Sequence, residues 1–172
     1  YPNIFSPVHI IFLELIMGPT CSIIYENEPM ELNTMIQQPR PFSTTFFNWH
    51  ELGISILQGL MITLGSLAVY QYAVYQGYNE AATRTMVFMV LISANIFLTL
   101  VNRSFYYSVI TTLKHRNNLV LLIIAITVTI SAILLLIRPL TNFFEFDPLN
   151  LHQLLFSTAT GLVSVIWFEA VK

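Results

Sequence analysis

The chain has 172 residues, 55% of them hydrophobic and only 9% charged, with a formal net charge of −2. Soluble domains carry roughly 25% charged residues, so this composition excludes a water-soluble globule of this size. Seven scattered basic residues exclude a nucleic-acid-binding patch, and a single cysteine, Cys21, excludes an intrachain disulfide.

Four stretches contain no Asp, Glu, Lys or Arg: residues 53–79, 85–102, 117–137 and 149–168. A helix that crosses a bilayer takes about 17 to 25 predominantly apolar residues, and all four are long enough. Residues 7–25 make a fifth if Glu14 is tolerated. The expected fold is therefore all-α, a polytopic membrane helix bundle with five transmembrane helices in a single membrane domain. The expected spans are about 7–25, 53–77, 84–103, 118–137 and 149–170, with a linker at 26–52.

The first span contains "HIIFLELIMGPTCSII", residues 9–24, with one glutamate in an apolar run and a Gly-Pro pair just after it. An ionisable group at membrane depth costs about 2.5 to 3.5 kcal/mol on insertion scales and usually faces a bundle interior, so Glu14 is a candidate site residue. Gly18 lies one turn further on the same face, and Pro19 has no backbone N–H to donate. The pair predicts a helix break that frees carbonyl oxygens, which are good cation ligands in a protected cavity. The competing reading is an ordinary proline kink beside a protonated glutamate.

The linker carries Pro29, Pro39 and Pro41 and the early acids Glu26, Glu28 and Glu31, which forbid a continuous helix and read as a solvated run. Near its end Asn48 and Glu51 have the N-x-x-E spacing of a capping box, with Phe47 and Leu52 placed as a staple, so the second helix is expected to start there. The third span places Asn95, Thr99 and Asn102 on one face. Their oxygens suit a cation site with Glu14 or hydrogen bonds between helices. The second reading is favoured for Thr99 and Asn102, and Asn95 is an even case. The loop at 103–116 is compatible with an interfacial helix bearing Tyr106 and Tyr107. Two stripes, Gly59, Thr63 and Ser66 in the second span and Ser157, Gly161 and Ser164 in the fifth, read as close-packing seams.

Basic residues set the expected orientation. Arg40, Arg103, Lys114, Arg116 and Lys172 fall on one side of the membrane, Arg84 and Arg138 on the other. Five against two places the long linker and the C-terminus in the cytoplasm, with the first span entering from outside. The inventory also lacks catalytic chemistry. No phosphate-binding loop surrounds Lys114 or Lys172, and the four histidines have no zinc spacing. The one aspartate, Asp147, has no neighbours arranged for a hydrolase triad.

"HIIFLELIMGPTCSIIYENEP", "QQPRPF", "TRTMVFMVLISANIFLTLVNRS" and the closing "LTNFFEFDPLNLHQLLF…WFEAVK" occur in an order that resembles the C-terminal membrane region of P-type cation-transporting ATPases, the bacterial calcium-pump-like branch in particular. The most specific pieces are the first helix with its proline, Arg-Thr-Met at 84–86 and Glu-x-x-Lys at 169–172. The resemblance implies that the five spans correspond to the sixth to tenth transmembrane helices of an ion pump in a bacterial inner membrane. It implies ATP and Mg as cofactors of the parent protein and none in this chain. The phosphorylated aspartate, nucleotide-binding domain, actuator domain and remaining helices would precede Tyr1, so this chain alone should be inactive. Glu14 and Gly18 match the two positions of the family's Asn-x-x-x-Asp pattern in the sixth helix, and Asn95 matches a ligand position in the eighth. Glu14, Gly18 and Asn95 are thus the implied cation ligands. Gly18 stands where calcium pumps have a carboxylate, which leaves the cation open between calcium and another. "QQPRPF" would meet the cytoplasmic phosphorylation domain. The alternative reading is a self-contained small secondary transporter or membrane scaffold; the absence of an internal repeat counts against a carrier.

Overall fold

A computed structural model describes residues 4–27, 49–103 and 118–170, and among these all regular structure is helical. The helices are α1 (Pro7–Glu26), α2 (Trp49–Tyr75), α3 (Glu80–Val101), α4 (Asn118–Leu136), α5 (Arg138–Phe143) and α6 (Leu151–Ile166), the last continuing as a 3-10 turn, Trp167–Ala170. Five of them, all except the six-residue α5, are long and apolar enough to cross a membrane, α6 when taken with its 3-10 turn as Leu151–Glu169. The fold is an all-α polytopic bundle. Asn48 of the capping box, the prolines and later acids of the linker, "QQPRPF" and the loop with Tyr106 and Tyr107 lie outside the described residues.

Helices α2, α3 and α6 form a tight group. Lipid is as apolar as leucine, so helices in a membrane associate through close packing and small residues. Ser157, Gly161 and Ser164 of α6 are buried along one seam. A Cβ on Gly161 would lie 2.9 Å from the Ala94 nitrogen and the Val90 carbonyl oxygen of α3 and would collide with Ser93 Oγ. The two backbones touch there. On α2 the buried or half-buried face is Gln58, Ile62, Gly65, Val69 and Ala73; a Cβ on Gly65 would collide with Ser164 Oγ. The stripe expected on α2 is displaced from this face. Gly59 and Thr63 are exposed, and the Thr63 hydroxyl donates to the Gly59 carbonyl at 2.9 Å. An α2 that is apolar all round gives periodicity nothing to choose a face by.

One end of the bundle is sealed by turns. Helix α2 closes in a Schellman motif: Gly77 is left-handed (φ 71°), Tyr78 N–H donates to the Ala73 carbonyl at 3.1 Å and Gly77 N–H to that of Val74 at 3.1 Å. Asn79 then caps α3, its Oδ1 accepting from Ala82 N–H at 2.7 Å while its Nδ2 donates to Asp147 at 2.7 Å. Helix α5 ends in the same motif with a non-glycine in the left-handed position, Glu145 (φ 50°), and with Phe146 N–H donating to the Thr141 carbonyl at 2.8 Å. Arg84 of α3 holds that turn. Its guanidinium donates to the Glu145 carbonyl at 3.0 Å, the Glu145 carboxylate at 2.7 Å, the Ile4 carbonyl at 2.7 Å and Glu80 at 3.0 Å. Phe144 and Phe146 are thereby tucked against Leu13 of α1 and Phe88 and Ile92 of α3 in one apolar cluster.

Candidate functional site

Helix α1 has two unlike faces. His9, Leu13, Ile16 and Ile24 are buried against the rest of the chain, while Ile11, Glu14, Leu15, Gly18 and Ser22 are exposed. Glu14 and Gly18 therefore share one outward face, and Glu14 has no hydrogen-bond or ion-pair partner among the described residues. A Cβ on Gly18 would meet nothing within 4 Å.

The expected break at Gly18–Pro19 is not there: α1 runs unbroken from Pro7 to Glu26. Proline removes one donor, so the Leu15 carbonyl loses its partner four residues on, and the bonds on either side carry the helix through. One freed carbonyl oxygen at this level replaces the several that an unwound turn would expose.

Asn95 sits half-buried on α3, and the residue that reaches it from α1 is Cys21. The Cys21 Sγ lies 3.8 Å from Asn95 Oδ1 and 3.1 Å from Thr99 Oγ1. The Thr99 hydroxyl donates to the Asn95 carbonyl at 2.8 Å, so the thiol hydrogen is the donor toward both α3 oxygens. Cys21 is seven residues beyond Glu14, about 10 Å along a helix axis. No hydrogen bond joins Glu14 or Gly18 to Asn95 among the described residues. Ile24, Asn95, Thr99 and Thr127, with four apolar neighbours, line a cavity of about 20 Å³ between α1, α3 and α4. That suffices for one water-sized occupant. Asn102 bonds across the helix interface, exchanging hydrogen bonds with Gln58 of α2 at 3.0 and 3.3 Å.

Cys21 and Thr127 were not singled out from sequence as partners of Asn95. The available signal was that Cys21 repeats the angular position of Glu14 two turns on. Among the described residues no three His, Cys, Asp or Glu side chains come together as a metal cage. The oxygen-bearing groups here are one carboxylate, one freed carbonyl and the amide and hydroxyls of α3, at two levels along the helices.

The fold defines an integral membrane helix bundle with five helices long and apolar enough to cross a bilayer. The family described as "Cation transporting ATPase, C-terminus" matches residues 2–172, and the chain belongs to that family. It is the C-terminal membrane region of a P-type cation-transporting ATPase. No curated protein matches the chain.

Proposed function

We propose that the chain supplies part of the intramembrane cation site of an ATP-driven pump, with Glu14 as a carboxylate ligand, the one carbonyl freed beside Gly18, that of Leu15, as a backbone oxygen, and Asn95 contributing an amide oxygen deeper along the path. The observation that carries this reading is Glu14, which has no partner among the described residues, on the outward face of a largely apolar membrane helix. A carboxylate at that depth is costly unless something pairs with it. The partner, on this reading, is the transported cation together with helices from the rest of the pump. ATP and Mg serve the catalytic domains elsewhere in that protein. Helices α2, α3, α4 and α6 buttress the site. The bias of basic residues supports a cytoplasmic C-terminus and linker, and the sequence likeness to bacterial calcium-pump-like proteins supports a bacterial inner membrane. Family membership favours this reading over a self-contained carrier or scaffold.

The choice of cation follows from oxygen count. Calcium takes six to eight oxygens, several of them carboxylate, and Gly18 offers no side chain. The reading is therefore of a site with fewer hard ligands than a two-calcium site needs, open to a single cation, calcium or another. Glu14→Gln in the full-length pump tests it: ion-stimulated ATPase activity is expected to vanish or its ion affinity to weaken by roughly tenfold or more, about 1.4 kcal/mol per decade, with membrane insertion unchanged. Unaltered affinity and turnover would remove Glu14 from the site.

A further inference from the structure

We propose that the crevice between α3, α4 and α6 is a phospholipid site, in which one acyl chain fills the gap between the helices and the lipid phosphate is held by Arg138. The crevice has a volume of about 440 Å³, and Met89, Ile92, Val128, Leu135, Leu149 and Leu154 are among the residues that line it. Clefts that take whole small ligands run from about 300 to 1,000 Å³ and are mostly apolar. Neither Glu14 nor Asn95 lines it, so it is separate from the cation site proposed above and does not rest on it.

The lining selects an apolar occupant. Three hydroxyl-bearing residues contribute to it, and each donates its hydrogen within its own helix. Ser93 Oγ donates to the Met89 carbonyl at 2.7 Å, Ser131 Oγ to that of Thr127 at 2.8 Å and Thr158 Oγ to that of Leu154 at 2.9 Å. A buried water needs two to four polar partners around one point, and these three oxygens sit on three different helices. A gap between apolar side chains deprives them of dispersion contacts unless something fills it. A flexible alkyl chain follows an irregular gap and asks for no hydrogen bond.

Depth and charge select a phospholipid. On α4 the lining runs from Val128 to Leu136, the last residue of the helix, about 12 Å along the axis. Half of a hydrocarbon core of about 30 Å is about 15 Å, so the crevice has the depth of one leaflet. Leu136 at its end is 80% exposed, which leaves the crevice open sideways to the bilayer. Arg138 follows two residues later, just beyond the apolar span Leu119–Leu136. It is exposed and makes no ion pair or hydrogen bond among the described residues. The carboxylates of the adjoining turn are engaged elsewhere, Glu145 by Arg84 at 2.7 Å and Asp147 by Asn79 at 2.7 Å. An arginine at the edge of the hydrocarbon reaches the headgroup level, where its planar fork fits a phosphate in two parallel hydrogen bonds. A further apolar helix laid in the crevice would supply no anion for Arg138. A phospholipid supplies the alkyl chain and the anion in one molecule, with the anion at the end where Arg138 stands.

The test is native mass spectrometry of the full-length pump in detergent, titrated with palmitoyl-oleoyl phosphatidylethanolamine. Ala132 lines the crevice, and Ala132→Phe puts a ring into it, so the tightest-held lipid should bind about tenfold more weakly or be lost. Leu121→Phe, on a lipid-exposed part of α4 outside the crevice, should retain it as wild type does. Arg138→Gln should weaken retention about fivefold, as expected for loss of a partly exposed hydrogen bond to a charged group. Diacylglycerol with the same chains, which lacks the phosphate, should bind wild type more weakly by a similar factor and should not distinguish wild type from Arg138→Gln. Equal retention by wild type and Ala132→Phe overturns the acyl-chain site, and equal retention of diacylglycerol and phospholipid overturns the role of Arg138. If Ala132→Phe does not assemble, phosphatidylethanolamine with a photoreactive acyl chain decides on the wild type. Labelling of Met89, Leu135 and Leu154 well above that of exposed Leu60 and Leu121 is the expected result. Even labelling of all five, or a photoreactive residue at Leu135 that cross-links to another segment of the pump instead of to lipid, rejects the proposal.

Discussion

Helices α2, α3 and α6 are joined backbone to backbone, whereas α1 and α4 are joined to them by large side chains. Gly161 lets α6 touch the α3 main chain, and Gly65 lets α2 approach Ser164. Helix α1 meets its neighbours through Phe12, Leu13 and Met17 at one end and Ile24 at the other, where Val120 and Ile123 of α4 complete the contact. Helix α4 leaves a crevice of about 440 Å³ along α3 and α6, lined by Met89, Ile92, Ser131, Leu135, Leu149 and Leu154 among others. Small residues at a seam let two helices share their full length in van der Waals contact. Bulky branched residues hold them apart and leave gaps. The first group is suited to stay fixed and the second to move, and the proposed cation ligand Glu14 is on the second.

The largest effect should follow from forcing the tight group open. Gly161→Leu places side-chain atoms where the α3 backbone already is, and a backbone cannot rotate away as a side chain can. The expected loss exceeds the usual overpacking range of about 1–3 kcal/mol, read as failure to assemble or a large drop in thermal stability in detergent. Gly59→Leu is the matched control. A Cβ there meets nothing within 4 Å, so its stability should stay within about 0.5 kcal/mol of wild type. Equal losses in the two variants would erase the distinction between seam and lipid face.

Arg84→Gln comes next, because it attacks the place where the two groups are fastened together. The ion pairs themselves contribute little, since Glu80 and Glu145 are well exposed. The Ile4 and Glu145 carbonyls are the stronger term: each loses its donor, and a left-handed Glu145 loses the group that holds it. A cost of about 1–3 kcal/mol is expected. Hydrogen exchange should show it first in the segments 4–12 and 144–147, before α6 responds.

The five helices were legible in the sequence because charge-free stretches of sufficient length leave few other structures open in a membrane. The Ser157, Gly161 and Ser164 seam was legible for a similar reason, since small residues at helical spacing stand out in a bulky helix. The α2 seam was not, because Leu and Ile on every side of that helix hide its orientation. The turn after α5 was also missed. "NFFEFDP" reads as a connection, and only the contact map of Arg84 turns its phenylalanines inward. The proline in α1 misled in the opposite direction: it signals one missing hydrogen bond, and whether a helix unwinds there depends on neighbours that local sequence does not specify. Asn95 was read as a possible partner of Glu14 because both are polar and intramembrane. Depth along the axis separates them, and depth depends on how α1 and α3 are staggered, which periodicity within one helix cannot give.

The smallest effect expected is at Gln58. Its amide exchanges two hydrogen bonds with Asn102 and ties α2 to α3 at the end far from the Arg84 clamp. In water such a pair would compete with solvent; in lipid a lone amide is poorly solvated, which suggests a large contribution. Measured interhelical hydrogen bonds nonetheless average about 0.6 kcal/mol and stay under about 2 kcal/mol, because the separated helices also find partners for their polar groups. Gln58→Leu removes one partner and leaves Asn102, which is half-buried and close to the helix end, able to turn toward headgroup or water. A loss of about 0.6 kcal/mol is expected in thermal unfolding, and the double variant Gln58→Leu with Asn102→Leu should cost less than the sum of the two singles. A loss as large as that of Gly161→Leu would mean that polar bonds rather than close backbone contact fix the α2–α3–α6 group, and the contrast between its seams and the looser α1 and α4 would need a different physical cause.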